Sequence, residues 1–222
     1  TREDLKTMIP VTARISGRDL GSTIREMTER LDRPGFLPKG VYYHLGGLYQ
    51  EQQTAFRGLL GVFIAAAVLV FVVLLFLYES LRVAALMLLT TLLTIPAVFI
   101  GLWWTGTELN VTSLMGLTMV LGIVTEVGIF YYCEYQDLPR SVDLRGRLIQ
   151  AGLNRLRPIT MTTLAAILAL LPLALAIGEG SAMQKPLAIA IISGLLVQVP
   201  LVVIVLPTFL LLLTGNTTPS RT

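Results

Sequence analysis

The sequence predicts a mostly α-helical membrane protein with five transmembrane helices, preceded by a small polar segment whose elements follow a βαβ order. Hydrophobic residues make up 54% of the 222 residues and charged residues 14%, well below the roughly 25% charged residues of soluble domains. Sixteen of the charged residues lie in residues 1–57. The rest of the chain contains five long stretches almost free of charge, as expected for helices that cross a membrane.

The first 50 residues are predicted to contain the polar βαβ segment. β-branched residues over 8–15 favour a strand, and residues 41–45 alternate like a second strand. Between them, Asp19 or Ser22 can cap a helix that runs to about Leu31. A lone βαβ unit of this size buries too small a core to be stable. We therefore expect this segment to belong to a larger sheet outside the present sequence.

The membrane domain is predicted over residues 51–215, between a polar domain at 1–50 and a tail at 216–222. Its charge-poor stretches place the five spans at about 58–78, 83–105, 110–133, 158–178 and 186–213. Each reaches the roughly 20 residues that a helix needs to cross the hydrocarbon core. The last span is longer than necessary, so it is expected to tilt or to extend past the bilayer.

The distribution of arginine predicts the orientation of the spans. The turn at 79–82, the segment at 134–157 and the C-terminal tail carry seven arginines, whereas the opposing loops near 105–108 and 178–185 carry one lysine. Loops rich in Lys and Arg tend to stay in the cytoplasm. The C-terminus is therefore expected in the cytoplasm and the N-terminal polar domain on the outer side of the membrane.

Composition and motifs exclude several classes of function. The net charge is only +3, and no basic face is left free to bind nucleic acid. Cys133 is the one cysteine, which excludes a disulfide framework. We expect no enzymatic activity and no cofactor, because no motif supports nucleophilic catalysis or nucleotide binding. We expect no metal site either, because His44 has no second ligand nearby and a methionine pair such as Met115 and Met119 more often packs than binds a soft ion.

Glu126 is the one acidic residue deep inside a predicted span. An ionised acid in the middle of a bilayer costs several kcal/mol without a partner, so its side chain should face protein or water. Thr118 and Gly122 precede Glu126 at four-residue steps and share its helix face, which favours close packing of another helix. Two interpretations are open: a structural hydrogen-bonding acid, or a member of a proton relay.

Several motifs, in order along the chain, resemble the C-terminal membrane half of resistance-nodulation-division (RND) efflux permeases. They are GRDLGSTIREM and LPKGVYYHLGG, then GIVTEVGIFYY around Glu126, then NRLRPITMTTLAAILALLPLAL and GEGSAMQKPLAIAIISGLL. The resemblance implies a proton-driven efflux permease with twelve transmembrane helices in two halves. The five spans would be its helices 8 to 12, and residues 1–50 would be the last part of its periplasmic porter domain.

The resemblance also implies roles for three residues. Glu126 lies where multidrug members carry a lysine in helix 10 and several heavy-metal exporters carry an acid, so the chain is expected nearer the heavy-metal or uncharacterised branch. Arg155 and Thr162 match an arginine and a threonine of the proton pathway in helix 11. A membrane anchor for Arg155 and hydrogen bonding within the helix for Thr162 are the alternatives. The aspartates that would complete the relay belong to helix 4, which this sequence does not include.

The partners implied by the resemblance are the N-terminal half of the same permease, further copies in a homotrimer, a periplasmic adaptor, an outer-membrane channel and inner-membrane lipid. The chain begins with Thr1 rather than Met, which favours a fragment. Two other functions are open: a protein-export or lipid-export component of the same superfamily, and a docking or sensor protein that does not transport. The substrate is not predicted, because the loops that select it lie outside this sequence.

Overall fold

The structure is a computed structural model. It describes residues 2–3, 6–7, 9, 11–12, 20–33, 36–38, 40–43, 48–139, 141, 143–178 and 180–215. The chain divides into two compact units, Thr1–Glu51 and Gln52–Thr222.

The N-terminal unit contains helix α1 at Leu20–Leu31, where the sequence predicts a helix. An ion pair of 2.6 Å joins Arg30 to Glu26 one turn earlier on its surface, a spacing that supports helices. Beyond the helix, the hydroxyl of Tyr43 donates a hydrogen bond of 2.7 Å to Oδ1 of Asp32. This bond to a carboxylate raises the pKa of Tyr43 above its usual value, because it stabilises the protonated phenol.

The structure does not support the predicted βαβ arrangement. It pairs two short strands, β1 (Arg2–Glu3) and β2 (Lys6–Thr7), in antiparallel fashion. The described residues of the predicted strands at 8–15 and 41–45 lie outside any strand, and the other residues of both segments are outside the described part. Tyr42 is 90% exposed. An alternating pattern forms a strand only where a neighbouring strand and a covering surface are available, and the described residues of this unit provide neither to these segments.

The second unit is built from long apolar helices. Their bounds are α2 Leu48–Tyr78, α3 Leu81–Leu92, α4 Ile95–Trp104, α5 Val111–Asp137, α6 Leu144–Ala174, α7 Lys185–Pro200 and α8 Leu206–Gly215. In the described part of the chain, five helical stretches are long and apolar enough to cross a membrane: α2, α3 with α4, α5, α6, and α7 with α8. The predicted number of spans is therefore confirmed.

Prolines account for the interruptions within these stretches. α3 and α4 are separated by a turn at Leu93–Thr94, and Pro96 lies in the first turn of α4, where its missing N–H costs little. Pro200 ends α7 and is followed by a π-helical segment, Leu201–Val205, before α8 begins. A proline removes one backbone hydrogen bond and crowds the preceding turn, which accounts for an interruption of the regular α-helix near each of these prolines.

Helix α6 differs from the predicted span at 158–178, because it runs without a break from Leu144 to Ala174 and contains Pro158. Its 31 residues correspond to about 46 Å at about 1.5 Å per residue, more than the ~30 Å hydrocarbon core. The first turns of α6 are therefore expected to project beyond the membrane.

Two clusters of buried side chains hold the helices together. One is centred on Tyr131 and draws on α2, α3, α5, α6 and α8. The other surrounds Val120 and draws on α4, α5 and α7. Because α5 contributes to both clusters, it is the central helix of the unit, whereas α2 and α6 remain mostly exposed.

Glycines allow α5 and α7 to approach closely. A Cβ atom on Gly194 of α7 would lie 2.5 Å from Cγ1 of Val120, and one on Gly116 of α5 would lie 2.9 Å from the carbonyl oxygen of Leu187. Any larger side chain at these positions would push the two helices apart. Helix α7 also packs against α6, and α6 against α5, so the three helices are mutual neighbours.

Candidate functional site

Helices α5, α6 and α7 enclose a cleft of about 340 Å³. It is lined by Ile123, Glu126, Val127 and Phe130 of α5, by Arg155, Pro158, Ile159, Thr162, Thr163 and Ala166 of α6, and by Leu195 and Gln198 of α7. The structure thus brings together Glu126, Arg155 and Thr162, the three residues singled out from the sequence. Its walls are otherwise mostly apolar, as is usual for a functional cleft.

Glu126 lies on a face of α5 that the described residues leave uncovered. Met115, Met119 and Phe130 are each about half exposed along the same face, and Gly122 and Glu126 are exposed with them. Within the described part of the chain, the Glu126 carboxylate makes no ion pair or hydrogen bond. Since a charged group is costly against lipid, this face requires either water or a further protein surface.

Arg155 is held by a second acid of α5. Its Nε lies 3.0 Å from Oε2 of Glu134, and both side chains are only partly exposed. The other oxygen of Glu134 accepts a hydrogen bond of 2.8 Å from the amide of Asn154. The guanidinium carbon of Arg155 also lies 5.7 Å from the centre of the Phe130 ring, within the range of a cation–π contact. These contacts orient Arg155 at the edge of the cleft.

Sequence reasoning did not single out Glu134, although a signal for it exists. Glu126, Phe130 and Glu134 follow one another at four-residue steps and therefore share one face of α5. The face that carries Glu126 thus continues to an acid near the end of the span. Its pairing with Arg155 could not be predicted, because it depends on how α6 packs against α5.

The hydroxyl of Thr162 bonds within its own helix. Its Oγ1 lies 3.0 Å from the carbonyl oxygens of both Pro158 and Ile159. This is the backbone hydrogen bonding that the sequence left open as an alternative. The hydroxyl proton is therefore engaged, but the oxygen can still accept a further hydrogen bond.

Two further polar side chains line the cleft, and sequence reasoning assigned neither of them to a site. Thr163 of α6 and Gln198 of α7 are 7% and 1% exposed, and Thr163 Oγ1 and Gln198 Oε1 have no hydrogen-bond partner among the described residues. Buried polar atoms without a partner are uncommon and costly. The available signal for Gln198 was that it is the one side-chain amide within the last predicted span.

Cys133, Met115 and Met119 are not among the residues that line the cleft. Cys133 is half-buried near the end of α5, and His44 lies outside the described residues. Among the described residues, no three His, Cys, Asp or Glu side chains are grouped closely enough to hold a metal ion. Met115 and Met119 lie along the uncovered face of α5, one turn apart.

Sequence comparison places the chain among known transport proteins. The model of the AcrB/AcrD/AcrF family matches residues 1–214. The cobalt-zinc-cadmium resistance protein CzcA of Cupriavidus metallidurans is 29% identical over 186 residues, which cover 83% of this chain and 18% of the relative. The protein HelA of Legionella pneumophila is 31% identical, with coverages of 83% and 18%. The multidrug resistance protein MdtC of Pectobacterium atrosepticum is 33% identical, with coverages of 76% and 17%.

Structural comparison agrees with these relatives. A crystal structure of a heavy metal efflux pump, in its crystal form II, aligns with a TM-score of 0.79 and 29% identity. The alignment covers 90% of this chain and 20% of that pump. The present chain therefore spans about one fifth of the length of the proteins that it resembles. The resemblance noted from the motifs, including that to heavy-metal exporters, is confirmed.

Proposed function

The chain belongs to the AcrB/AcrD/AcrF family of RND permeases, whose model matches residues 1–214, and we propose that it is part of a proton-driven permease that exports its substrate across the bacterial inner membrane. The observation that carries the proposal is the cleft between α5, α6 and α7. Its lining includes one acid within a span, Glu126, and one cation, Arg155. A carboxyl group that can lose and regain a proton inside the membrane is the minimum requirement for coupling transport to proton entry.

In this proposal, protonation of Glu126 changes how α5 packs. The ionised carboxylate favours water or a polar partner, whereas the neutral acid tolerates an apolar neighbour. The free energy of packing of α5 therefore depends on whether Glu126 carries a proton, and α5 shifts when Glu126 is neutralised. The shift passes to the start of α2, near residues 50–57, and from there to the porter domain.

The uncovered face of α5 supports a partner helix from the N-terminal half of the same permease. Gly122 has open space at its Cβ position, and Met115, Met119 and Phe130 are half exposed beside it. A surface of this kind, with an acid in the middle, suits a polar helix more than lipid. We assign this place to the helix that the family resemblance implies, with its relay aspartates.

The assembly and the topology are part of the same proposal. Residues 1–50 form the end of a periplasmic porter domain, residues 51–215 the membrane domain, and residues 216–222 a cytoplasmic tail. The arginine-rich loops lie in the cytoplasm by the positive-inside rule. The complete permease acts as a homotrimer with a periplasmic adaptor and an outer-membrane channel.

The substrate class we propose is a heavy-metal cation. Relatives that the chain matches are named for resistance to cobalt, zinc, cadmium and nickel, and a crystal structure that it matches is that of a heavy metal efflux pump. Relatives named for multidrug resistance match as well. An organic compound is therefore the second candidate, and the transport assay must include both classes.

The test uses the full-length permease reconstituted in proteoliposomes with an imposed pH gradient. Glu126→Gln keeps the size of the side chain but cannot lose a proton, so we expect proton-coupled export to fall to the level of empty liposomes. Glu108→Gln, which changes an exposed acid between α4 and α5, is the matched control and should export like the wild type. Undiminished export by Glu126→Gln would refute the proposal.

The same assay separates the alternatives. Export of Zn²⁺, Co²⁺ or Cd²⁺ but not of a cationic dye supports the metal assignment, and the reverse result supports the organic substrate. Failure of the wild type to move either class would favour a protein-export or lipid-export component, or a docking or sensor protein that does not transport.

A further inference from the structure

We propose that Gln198 and Thr163 are positioning residues that stabilise the protonated form of Glu126, either directly or through one bridging water. The inference rests on the proposed role of Glu126 as the proton-binding group. It assigns a role at the proton site to α7, although the motifs of this helix suggested none.

The first observation is the burial of unpaired oxygen atoms in the lining of the cleft that holds the acid. Gln198 is 1% exposed and Thr163 is 7% exposed, yet Oε1 of Gln198 and Oγ1 of Thr163 find no hydrogen-bond partner in the described part of the chain. Both residues line the cleft that Glu126 lines. Buried oxygen atoms of this kind gain most from a donor that reaches them.

The second observation concerns the donors available in the cleft. Apart from Arg155, its lining residues are apolar side chains, Glu126, and the two threonines with Gln198. The Thr162 hydroxyl already donates to its own helix, and Nε of Arg155 lies at Glu134. The Thr163 hydroxyl does not donate to Oε1 of Gln198, since neither oxygen has a partner among the described residues. A protonated Glu126 carboxyl is an O–H donor, whereas the ionised form can only accept. An accepting amide oxygen therefore favours the protonated state.

Within the described part of this chain, few charged groups line the cleft with Glu126. Among the lining residues, α5 contributes no other titratable or charged group, α6 contributes Arg155, and α7 contributes none. Arg155 favours the ionised carboxylate, but Glu134 at 3.0 Å offsets its charge. Besides these groups and the relay aspartates assigned above to the partner helix, the polar neighbours that the cleft offers Glu126 are the neutral side chains of α6 and α7.

The experiment measures the protonation of Glu126 without measuring transport. The full-length permease is treated with a hydrophobic carbodiimide, which reacts with protonated carboxyl groups, and labelling of Glu126 is followed by mass spectrometry across a pH series. We expect Gln198→Met to move the labelling midpoint down by about one pH unit, a tenfold loss of proton affinity, as for one hydrogen bond. Gln184→Met, at an exposed position before α7, is the matched control and should leave the midpoint unchanged.

The direction of the shift distinguishes the proposed role from a structural one. If Gln198 only made the cleft polar, or donated to the carboxylate, its replacement by an apolar side chain would raise the midpoint, because desolvation disfavours the charged form. An unchanged or raised midpoint in Gln198→Met overturns the inference.

A second pair of variants tests the inference if Gln198→Met does not fold. Thr163→Val should lower the midpoint, whereas Thr163→Ser, which keeps the hydroxyl, should not. If Thr163→Val leaves the midpoint at the wild-type value, the inference is overturned on that evidence alone. The result is independent of the transport test, because Glu126 can bind a proton under the control of Gln198 even if export does not require it.

Discussion

The contact between α5 and α7 can be tested by adding one methyl group to Gly194. A Cβ atom there would lie 2.5 Å from Cγ1, 2.7 Å from Cγ2 and 3.2 Å from Cβ of Val120, far inside the roughly 3.5–4.0 Å of favourable carbon contacts. A valine in a helix has essentially one favoured rotamer, so Val120 cannot turn both methyl groups away. The two helices must therefore separate, or Val120 must adopt a strained rotamer.

The magnitude follows from two opposing effects. Overpacking of this kind costs about 1–3 kcal/mol, and contact with both methyl groups favours the upper end of that range. Replacing glycine by alanine inside a helix stabilises that helix by about 1 kcal/mol, because alanine has the higher helix propensity. We therefore expect Gly194→Ala to destabilise the full-length protein by about 2 kcal/mol, measured by reversible unfolding in mixed detergent micelles.

A double variant shows whether the steric reasoning is correct. Val120→Ala removes the two methyl groups that meet the new Cβ, so the pair Gly194→Ala with Val120→Ala should be more stable than the sum of the single effects by at least about 1 kcal/mol. Additive effects, or a Gly194→Ala variant as stable as the wild type, would refute the reasoning. Because Gly194 lies one turn before Gln198, we also expect the variant to widen the cleft and to weaken proton-coupled export.

Two further predictions concern the contacts of α6 with α5. Glu134→Gln removes the negative charge that pairs with Arg155. Because this pair is partly buried, we expect the free energy of unfolding to fall by about 1–3 kcal/mol and export in the proteoliposome assay to slow. Unchanged values in both measurements would show that the ion pair is unimportant. Tyr131 is fully buried, and its hydroxyl donates a hydrogen bond of 2.7 Å to the carbonyl oxygen of Leu148. Tyr131→Phe should therefore lower the free energy of unfolding by about 1 kcal/mol in the same experiment. The pH dependence of export should remain unaltered.

The outcome for the N-terminal unit shows where sequence reasoning stops. Helix α1 was predicted because its apolar side chains repeat with helical spacing, which is a local property of the chain. The structure does not support the predicted strands, because a strand depends on a neighbouring strand to accept its hydrogen bonds. No pattern within residues 8–15 or 41–45 shows whether that neighbour is present.

The motifs and the single acid within a span were enough to select Glu126, Arg155 and Thr162. The sequence could not show that they line one cleft, because periodicity gives the face on which a residue lies but not the helix that covers that face. The ion pair of Arg155 with Glu134 was missed for the same reason. Each of these facts depends on the packing of α5 against its neighbours.

By itself, the sequence determined the class of this protein, the number of its apolar helices and its family, since long runs of apolar residues and ordered motifs need no knowledge of tertiary contacts. Only the tertiary structure decided which polar atoms are buried without a partner. Gln198 and Thr163 look ordinary within their spans, and they become informative because the structure places both in the lining of the cleft that Glu126 lines. Their side-chain oxygen atoms have no hydrogen-bond partner among the described residues, a property that depends on how the helices pack and that the sequence does not contain.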